Sequence, residues 1–321
     1  MQTARDLADS RPHALIRTAD LVENGTTMRT IRSAVRDGFL VRIYRGAYMN
    51  RAQWEASSPE EKYRHFVRAV VGASTRPMVL SHYSAAVLHK LPIVTSWPPR
   101  VHVLTPEATG GSVKTSVYSH AQPTDPRLVE IDGLVATSLT RTVVDLACVS
   151  AFVDAVSVVD AALRLGSTSE DPSRVGTSRE ALLGELDRLM PRPGSTRARK
   201  AIEFGDARSE SVGESLSRAR MHELGFVAPD LQKCFRTAHG AYTVDFRWPS
   251  AGIIGEFDGR AKYFRDDLTS GLAPDDVLWR EKRREDAIRG ASGDRFVRWT
   301  WADAIDRQTF ARLLGAGGVP R

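Results

Sequence analysis

Three carboxylates lie close together near the end of the chain: Asp245 in Val244-Asp245-Phe246, then Glu256 and Asp258 in Gly255-Glu256-Phe257-Asp258-Gly259. The residues around them alternate apolar and polar as two strands would, joined by a turn from Pro249 to Gly252. An unpaired buried carboxylate costs on the order of several kcal/mol, so such a group calls for a compensating charge. A divalent cation, Mg2+ or Mn2+, would provide it, with Asp245, Glu256 and Asp258 as ligands. A lysine, Lys262, lies just beyond. The competing reading is a structural network in which these acids pair with Arg247, Arg260 or Arg283.

The elements that would position this group follow from periodicity. A helix is expected from Glu210 to Leu224, with Val212, Leu216, Ala219 and Leu224 inward and Gly225 as its stop. A strand over 231–237 comes next. On the strand after it, Tyr242, Val244, Phe246 and Trp248 share one face and Thr243, Asp245 and Arg247 the other. Ile254, Glu256 and Asp258 share a face of the third. A charged helix from Leu278 to Arg289, a strand from Arg295 to Trp301 and a last helix complete an α-β-β-β-α-β order.

That order, with Gly213-Glu214-Ser215, Val244-Asp245-Phe246, Gly255-Glu256-Phe257-Asp258-Gly259 and Glu281-Lys282-Arg283-Arg284-Glu285-Asp286, resembles the PD-(D/E)XK nuclease superfamily. It is most similar to the branch around very-short-patch-repair endonucleases and their bacterial relatives. The resemblance covers roughly the last third of the chain. It implies a restriction-endonuclease-like core in which Asp245 and Glu256 hold Mg2+ and Glu214 assists from the helix. The family pattern Glu-x-Lys would put a lysine at 258, where this chain has Asp258. Lys262 or Lys282 would then have to replace it. Asp258 either adds a metal ligand or marks lost nuclease activity.

A second constellation lies near the start. Thr18 can cap a helix over 19–24 that Gly25 ends, and Thr26 or Thr27 caps another running to Asp37 and closed by Gly38. On the second helix Met28, Ile31 and Val35 are spaced to face a core, while Arg29, Arg32 and Arg36 fall on another face. The strand pair over 39–48 carries Arg42 and Arg45 at its tip. Residues 26–45 thus hold five arginines against one acid, Asp37. A helix presenting Thr27 and arginines, followed by an arginine-bearing wing, suits major-groove entry with flanking phosphate contacts. A solvated arginine face or a protein-binding module is the bland alternative.

The segments Leu-Ile-Arg-Thr-Ala-Asp-Leu, Thr-Ile-Arg-Ser-Ala-Val-Arg-Asp-Gly and Leu-Val-Arg-Ile-Tyr-Arg-Gly-Ala-Tyr resemble the N-terminal winged helix of the AbiEi-like (type IV) antitoxin family. Ser81-His82-Tyr83-Ser84-Ala85-Ala86 and Thr137-Ser138-Leu139-Thr140-Arg141-Thr142-Val143-Val144-Asp145-Leu146 resemble its middle region. The resemblance implies a structural and partner-contacting role there, with a cognate toxin as the partner. His82 and His89, seven apart on one expected helix, and His120 read as satisfied histidines and not as ligands. Arg141 and Asp145 read as a helix-surface ion pair.

The 321 residues suggest more than one domain. The expectation is an α+β multidomain chain with three parts. These are a winged helix-turn-helix over 1–52, an antitoxin-like mixed α/β domain over 53–205 with a linker near 166–178, and the nuclease-like domain over 206–321. A net charge of +6 favours a polyanionic partner such as DNA. Two distant cysteines, Cys148 and Cys234, argue against a disulfide scaffold or a zinc site. The polar, acid-bearing opening residues are expected not to be a secretion signal, and no apolar run reaches bilayer length, so a cytoplasmic location without membrane partners is expected. Three functions fit these features. One is a DNA-directed Mg2+-dependent endonuclease. Another is an antitoxin-type transcriptional regulator with a degenerate nuclease fold, serving a toxin–antitoxin or phage-defence operon. The third is a protein-interaction module.

Overall fold

The computed structural model describes residues 15–23, 25–106, 111–122, 127–168, 176–259 and 274–321. It shows an α+β multidomain architecture that divides into two compact units. Unit 1 is Met1–Leu146 with Gly184–Arg192, and unit 2 is Ala147–Leu183 with Pro193–Arg321. Among the described residues, no helix is long and apolar enough to cross a membrane.

Unit 1 opens with an antiparallel sheet in the order β1 (Ile16–Arg17), β3 (Ala47–Asn50), β2 (Leu40–Tyr44). Between β1 and β2 run α1 (Thr18–Glu23) and α2 (Met28–Arg36). Ile16, Leu21, Ile31, Ala34, Leu40 and Tyr48 form their common core. Gly25 (φ +79°) and Gly38 (φ +82°) end the two helices in the left-handed region, where another residue would cost about 1–2 kcal/mol. Val35 packs against this core, but Met28 is 40% exposed; Ala34, not Met28, completes the inward face. Arg42 is within β2 opposite Tyr48, so only Arg45 is at the tip of the wing.

Next come α3 (Arg51–Ala56) and α4 (Pro59–Gly72). α4 begins in a full capping box: Ser58 Oγ accepts from Glu61 N, and the Glu61 carboxylate accepts from Ser58 N at 2.7 Å. Six strands then form one sheet, with β4 (Val79–Leu80), β5 (Val101–Thr105), β6 (Ser112–Val113), β7 (Val117–Ala121), β8 (Leu128–Ile131) and β9 (Leu134–Thr137) in the order β6-β7-β5-β4-β9-β8. The β4/β9 and β5/β7 pairs are parallel. β6 and β7 are joined by a hairpin turn at 114–116. Val67, Val70, Leu80, Ala85, Val87 and Val101 join α4, α5 (His82–Leu88) and this sheet in one core. α6 (Leu139–Val149) follows.

In unit 2, α7 (Phe152–Thr168) runs through Gly166 to Thr168, so the expected linker starts later. Residues 169–175 of that linker lie outside the described residues. α8 (Arg179–Arg188), whose residues from Gly184 on belong to unit 1, and α9 (Ser195–Phe204) come next. α10 (Val212–Glu223) is buried from Gly213 to Met221 on every side, more than its single expected apolar face requires. Val212 and Leu224 are only half-buried.

The second-unit sheet has the order β10 (Asp230–Thr237), β11 (Gly240–Trp248), β12 (Ile253–Asp258), β13 (Arg295–Thr300). Neighbours are antiparallel except for β12/β13, which are parallel and linked through α11 (Pro274–Ser292). α12 (Trp301–Ile305) and α13 (Arg307–Ala316) close the chain. Alternation on β11 runs as predicted, with Val244, Phe246 and Trp248 buried. A β-carbon on Gly255 would come within 2.6 Å of Trp299 and 2.9 Å of Trp248, and both rings are 1% exposed. Gly255→Ala is therefore expected to lower stability by about 1–3 kcal/mol through overpacking, seen as a lower urea midpoint. A loss under about 0.5 kcal/mol would show that the two rings have room to shift.

Candidate nucleic-acid interface and carboxylate cluster

The first-unit candidate is built on α2. Thr27 caps it, its hydroxyl accepting from Thr30 N at 3.2 Å and meeting Thr30 Oγ1 at 2.9 Å. With Ile31 and Ala34 fully buried, Arg29, Arg32 and Arg36 are turned outward and exposed. Arg36 is tied to Asp37 at 3.1 Å and to Ser33 at 3.0 Å. The Ser33 and Arg36 bonds hold the Asp37 carboxyl below its usual range. Among the described residues no carboxylate pairs with Arg29 or Arg32. On the wing, Arg42 is exposed and the Arg45 guanidinium sits 5.6 Å from the Tyr44 ring centre. The structure therefore gathers all five predicted arginines on the small three-stranded module, whereas the Thr27 hydroxyl is engaged in its own helix end.

The carboxylate cluster belongs to unit 2. The β11–β12 register pairs Phe246 with Gly255 and Arg247 with Ile254. One step on, Asp245 stands opposite Glu256, so the two share a sheet face as the sequence alternation requires. Their carboxylates, however, already have partners. Asp245 Oδ2 accepts from Phe257 N at 2.9 Å. Glu256 Oε1 takes Arg284 at 2.7 Å and Oε2 takes Arg298 at 3.1 Å. Arg284 also binds Glu281 at 2.9 Å, and Arg298 binds both Glu281 and Glu285 at 2.9 Å. Burial works against the Arg284 charge, but the bonds to Glu256 and Glu281 raise its pKa above the ordinary value.

Glu214 turns to its own helix end, accepting from Ser211 Oγ at 2.7 Å, Glu210 N at 2.9 Å and Gln232 Nε2 at 2.9 Å. Asp258 ends β12, half-buried. Lys262 and Arg260 lie outside the described residues. The arginines on Glu256 are Arg284 and Arg298, while Arg247 instead binds Asp294 at 2.8 Å. Among the described residues, no group of three or more His, Cys, Asp or Glu side chains is arranged to hold a metal ion. Mg2+ takes oxygen ligands, often only one or two of them carboxylates. Both Glu256 oxygens here face guanidinium groups and an Asp245 oxygen takes a backbone N–H, so Glu256 would have to release its arginines to hold an ion.

One cluster in unit 1 is missing from the sequence expectations. His82 is fully buried, its ring stacked on that of His120 with centres 3.6 Å apart and planes at 12°. His120 Nε2 lies 2.9 Å from Nδ1 of His102, and Tyr118 stacks on both His102 and His120. Asp145 is buried beside them, its Oδ2 4.0 Å from His82 Nδ1. Its Oδ1 takes Arg141 at 2.9 Å and Arg192 at 2.7 Å. The Arg141–Asp145 pair is thus not on a helix surface, since both side chains are 0% exposed. His89 does satisfy itself, on Thr137 O at 2.9 Å, but His82 leaves a buried Nε2 without a hydrogen bond. Strand alternation could have flagged His102 and His120 as possible neighbours; Arg192, far along the chain, left no local signal.

No protein-family model matches the chain. The uncharacterized proteins MT2308 and Rv2248, from two strains of Mycobacterium tuberculosis, are each 30% identical to it over 148 residues, 44% of this chain and 51% of theirs. The chain therefore spans about half the length of the curated relatives it matches. Among solved structures it is similar to the RV2827C protein from Mycobacterium tuberculosis, at 18% identity and a TM-score of 0.37 over 62% of this chain and 74% of that one. A likeness that loose carries no argument.

Proposed function

We propose that this protein is a DNA-binding regulator of the AbiEi-like antitoxin type, with α2 and the β2–β3 wing as its DNA-contacting surface. The carrying observation is the outward array of Arg29, Arg32 and Arg36 on a capped helix that follows a tight glycine turn, with Arg42 and Arg45 exposed on the wing. Among the described residues only Arg36 of these has an acidic partner, Asp37, to neutralise it. A small module with such a face binds phosphates through its cations and orients one helix toward base edges. The decisive measurement is selection of a duplex from a random pool, followed by anisotropy titration at several salt concentrations. An enriched site bound far more tightly than random duplex, with a steep log–log salt slope, is the expected result. Affinity that is the same for every sequence would overturn the regulator reading.

In this reading the second unit is a PD-(D/E)XK-like fold whose acids serve structure and not hydrolysis. The observation behind it is the pairing of Glu256 with Arg284 and Arg298. With Mg2+ or Mn2+, plasmid and single-stranded DNA are expected to stay intact. The second reading, a metal-dependent endonuclease, is favoured by Asp245 standing opposite Glu256 on one face. Cleavage lost in Asp245→Ala and Glu256→Ala would establish it and displace the structural account. A toxin partner for the middle region rests on the family resemblance alone. Co-purification with the product of a neighbouring gene would test it.

A further inference from the structure

The imidazole cluster of unit 1 tolerates a proton poorly. The His102 Nδ1 to His120 Nε2 contact of 2.9 Å needs a lone pair on one nitrogen and an N–H on the other. If both rings were cations both nitrogens would donate, and the bond would be lost. His82 lies face to face with His120 at 3.6 Å, so a charge on one ring opposes a charge on the other. Its backbone is held at φ +48°, a strained conformation for this residue that persists only where packing imposes it.

The neighbours add little relief. From α6 come Arg141 and Asp145, and Arg192 reaches the same carboxylate. Asp145 is the acid at the centre of the cluster: two guanidinium groups share its Oδ1, while Oδ2, 4.0 Å from His82 Nδ1, makes no hydrogen bond and is the charged acceptor a protonated His82 would face. Arg141 also takes Gln122 Oε1 at 2.5 Å. Arg100, just before β5, adds a positive field at His102, and Tyr83 of α5 packs edge to face with the same ring. Tyr118 from β7 offers a neutral face. Ser81 Oγ, 3.1 Å from His82 Nδ1, is the remaining neutral partner.

We propose that His82, His102 and His120 form an acid-sensitive lock, which while uncharged holds α5, β5 and β7 against α6 and which protonation opens. The electrostatics point the same way. Burial, before any neighbouring charge, pushes His82 well below its ordinary value, His102 to about 4 and His120 to about 3. A histidine whose folded pKa lies below its unfolded one binds more protons unfolded. Its contribution is complete above the unfolded value near 6.5 and is lost as pH falls toward the folded ones. Each ring then lowers the folding equilibrium constant by about tenfold per pH unit across that window.

Opening the lock would reach the wing through a short chain of contacts. Ser84 Oγ of α5 accepts from His102 N at 2.8 Å and lies 2.8 Å from the Tyr63 hydroxyl on α4. On the same helix, Phe66 meets Tyr44 of β2 edge to face at 6.2 Å.

The test uses the intact chain labelled on its histidine rings. Ring nitrogen shifts followed from pH 8 to 4 should show the three imidazoles staying neutral until unit 1 unfolds. Urea unfolding of unit 1 across the same range should give a steep loss of stability below about pH 6.5. His120→Phe, which keeps a stacked ring, should flatten that loss by about tenfold per pH unit in the folding constant. A ring titrating near 6.5 in the folded protein, or equal slopes in wild type and His120→Phe, would overturn the lock. If His120→Phe does not fold, the wild-type ring titration decides alone.

Discussion

Asp145→Ala is expected to lower the stability of unit 1 by about 3–5 kcal/mol. Asp145 is fully buried, and it accepts from Arg141, also fully buried, and from Arg192, whose side chain is 8% exposed. Removing the carboxylate leaves two guanidinium groups sharing a low-dielectric site with three neutral imidazoles and no counter-ion at its centre. Water reaches neither head group easily, so the solvent screening that makes exposed pairs weak is absent. Asp145→Asn keeps the shape and part of the hydrogen bonding, and should cost less. Urea unfolding followed in unit 1 reads both. A loss below about 1 kcal/mol in Asp145→Ala would be the behaviour of an exposed pair, and would mean the cluster opens to solvent.

The second large effect concerns DNA. The triple variant Arg29→Ala, Arg32→Ala, Arg36→Ala is expected to weaken DNA binding on the order of a hundredfold at about 0.15 M salt, with each lost phosphate contact removing about 1 kcal/mol. The log–log salt dependence should flatten by about one unit for every phosphate contact removed. Arg36 already binds Asp37 and Ser33, so Arg29 and Arg32 should carry most of the change as single variants. Arg42 and Arg45 on the wing should give a smaller, sequence-independent loss. Titrations of each variant against the same duplex at four salt concentrations check this. Unchanged affinity with an unchanged slope would remove α2 from the interface and, with it, the function proposed above.

These two clusters differ in how far they could be read in advance. The arginine face is local: Arg29, Arg32 and Arg36 belong to one helix, and helical spacing alone separates them from Ile31. The same holds for the Ser58–Glu61 capping box and for alternation on β11, where each residue's side is set by its immediate neighbours. One local misreading, Met28 for Ala34, arose because apolar type outweighed position. Met28 is the first residue of its helix and so escapes the core.

The carboxylate cluster was half legible. Alternation was enough to put Asp245 and Glu256 on one face, because strand period and a short turn fix the register between neighbours. What the carboxylates bind was not legible, since Arg284 and Arg298 arrive from a helix and a strand further on. A cation and a pair of guanidinium groups satisfy the same spacing of acids, and only the packing of α11 and β13 selects between them.

By itself, then, the sequence determined the helices and strands that local periodicity and capping specify, the outward arginines of α2, and the shared face of Asp245 and Glu256. The tertiary structure alone decided that Arg141 and Asp145 are buried, that His82, His102 and His120 meet, and that arginines occupy Glu256. Periodicity carries which side a residue faces, but not what faces it across the core. That depends on contacts such as Arg192 to Asp145, between segments far apart along the chain, which no local pattern encodes.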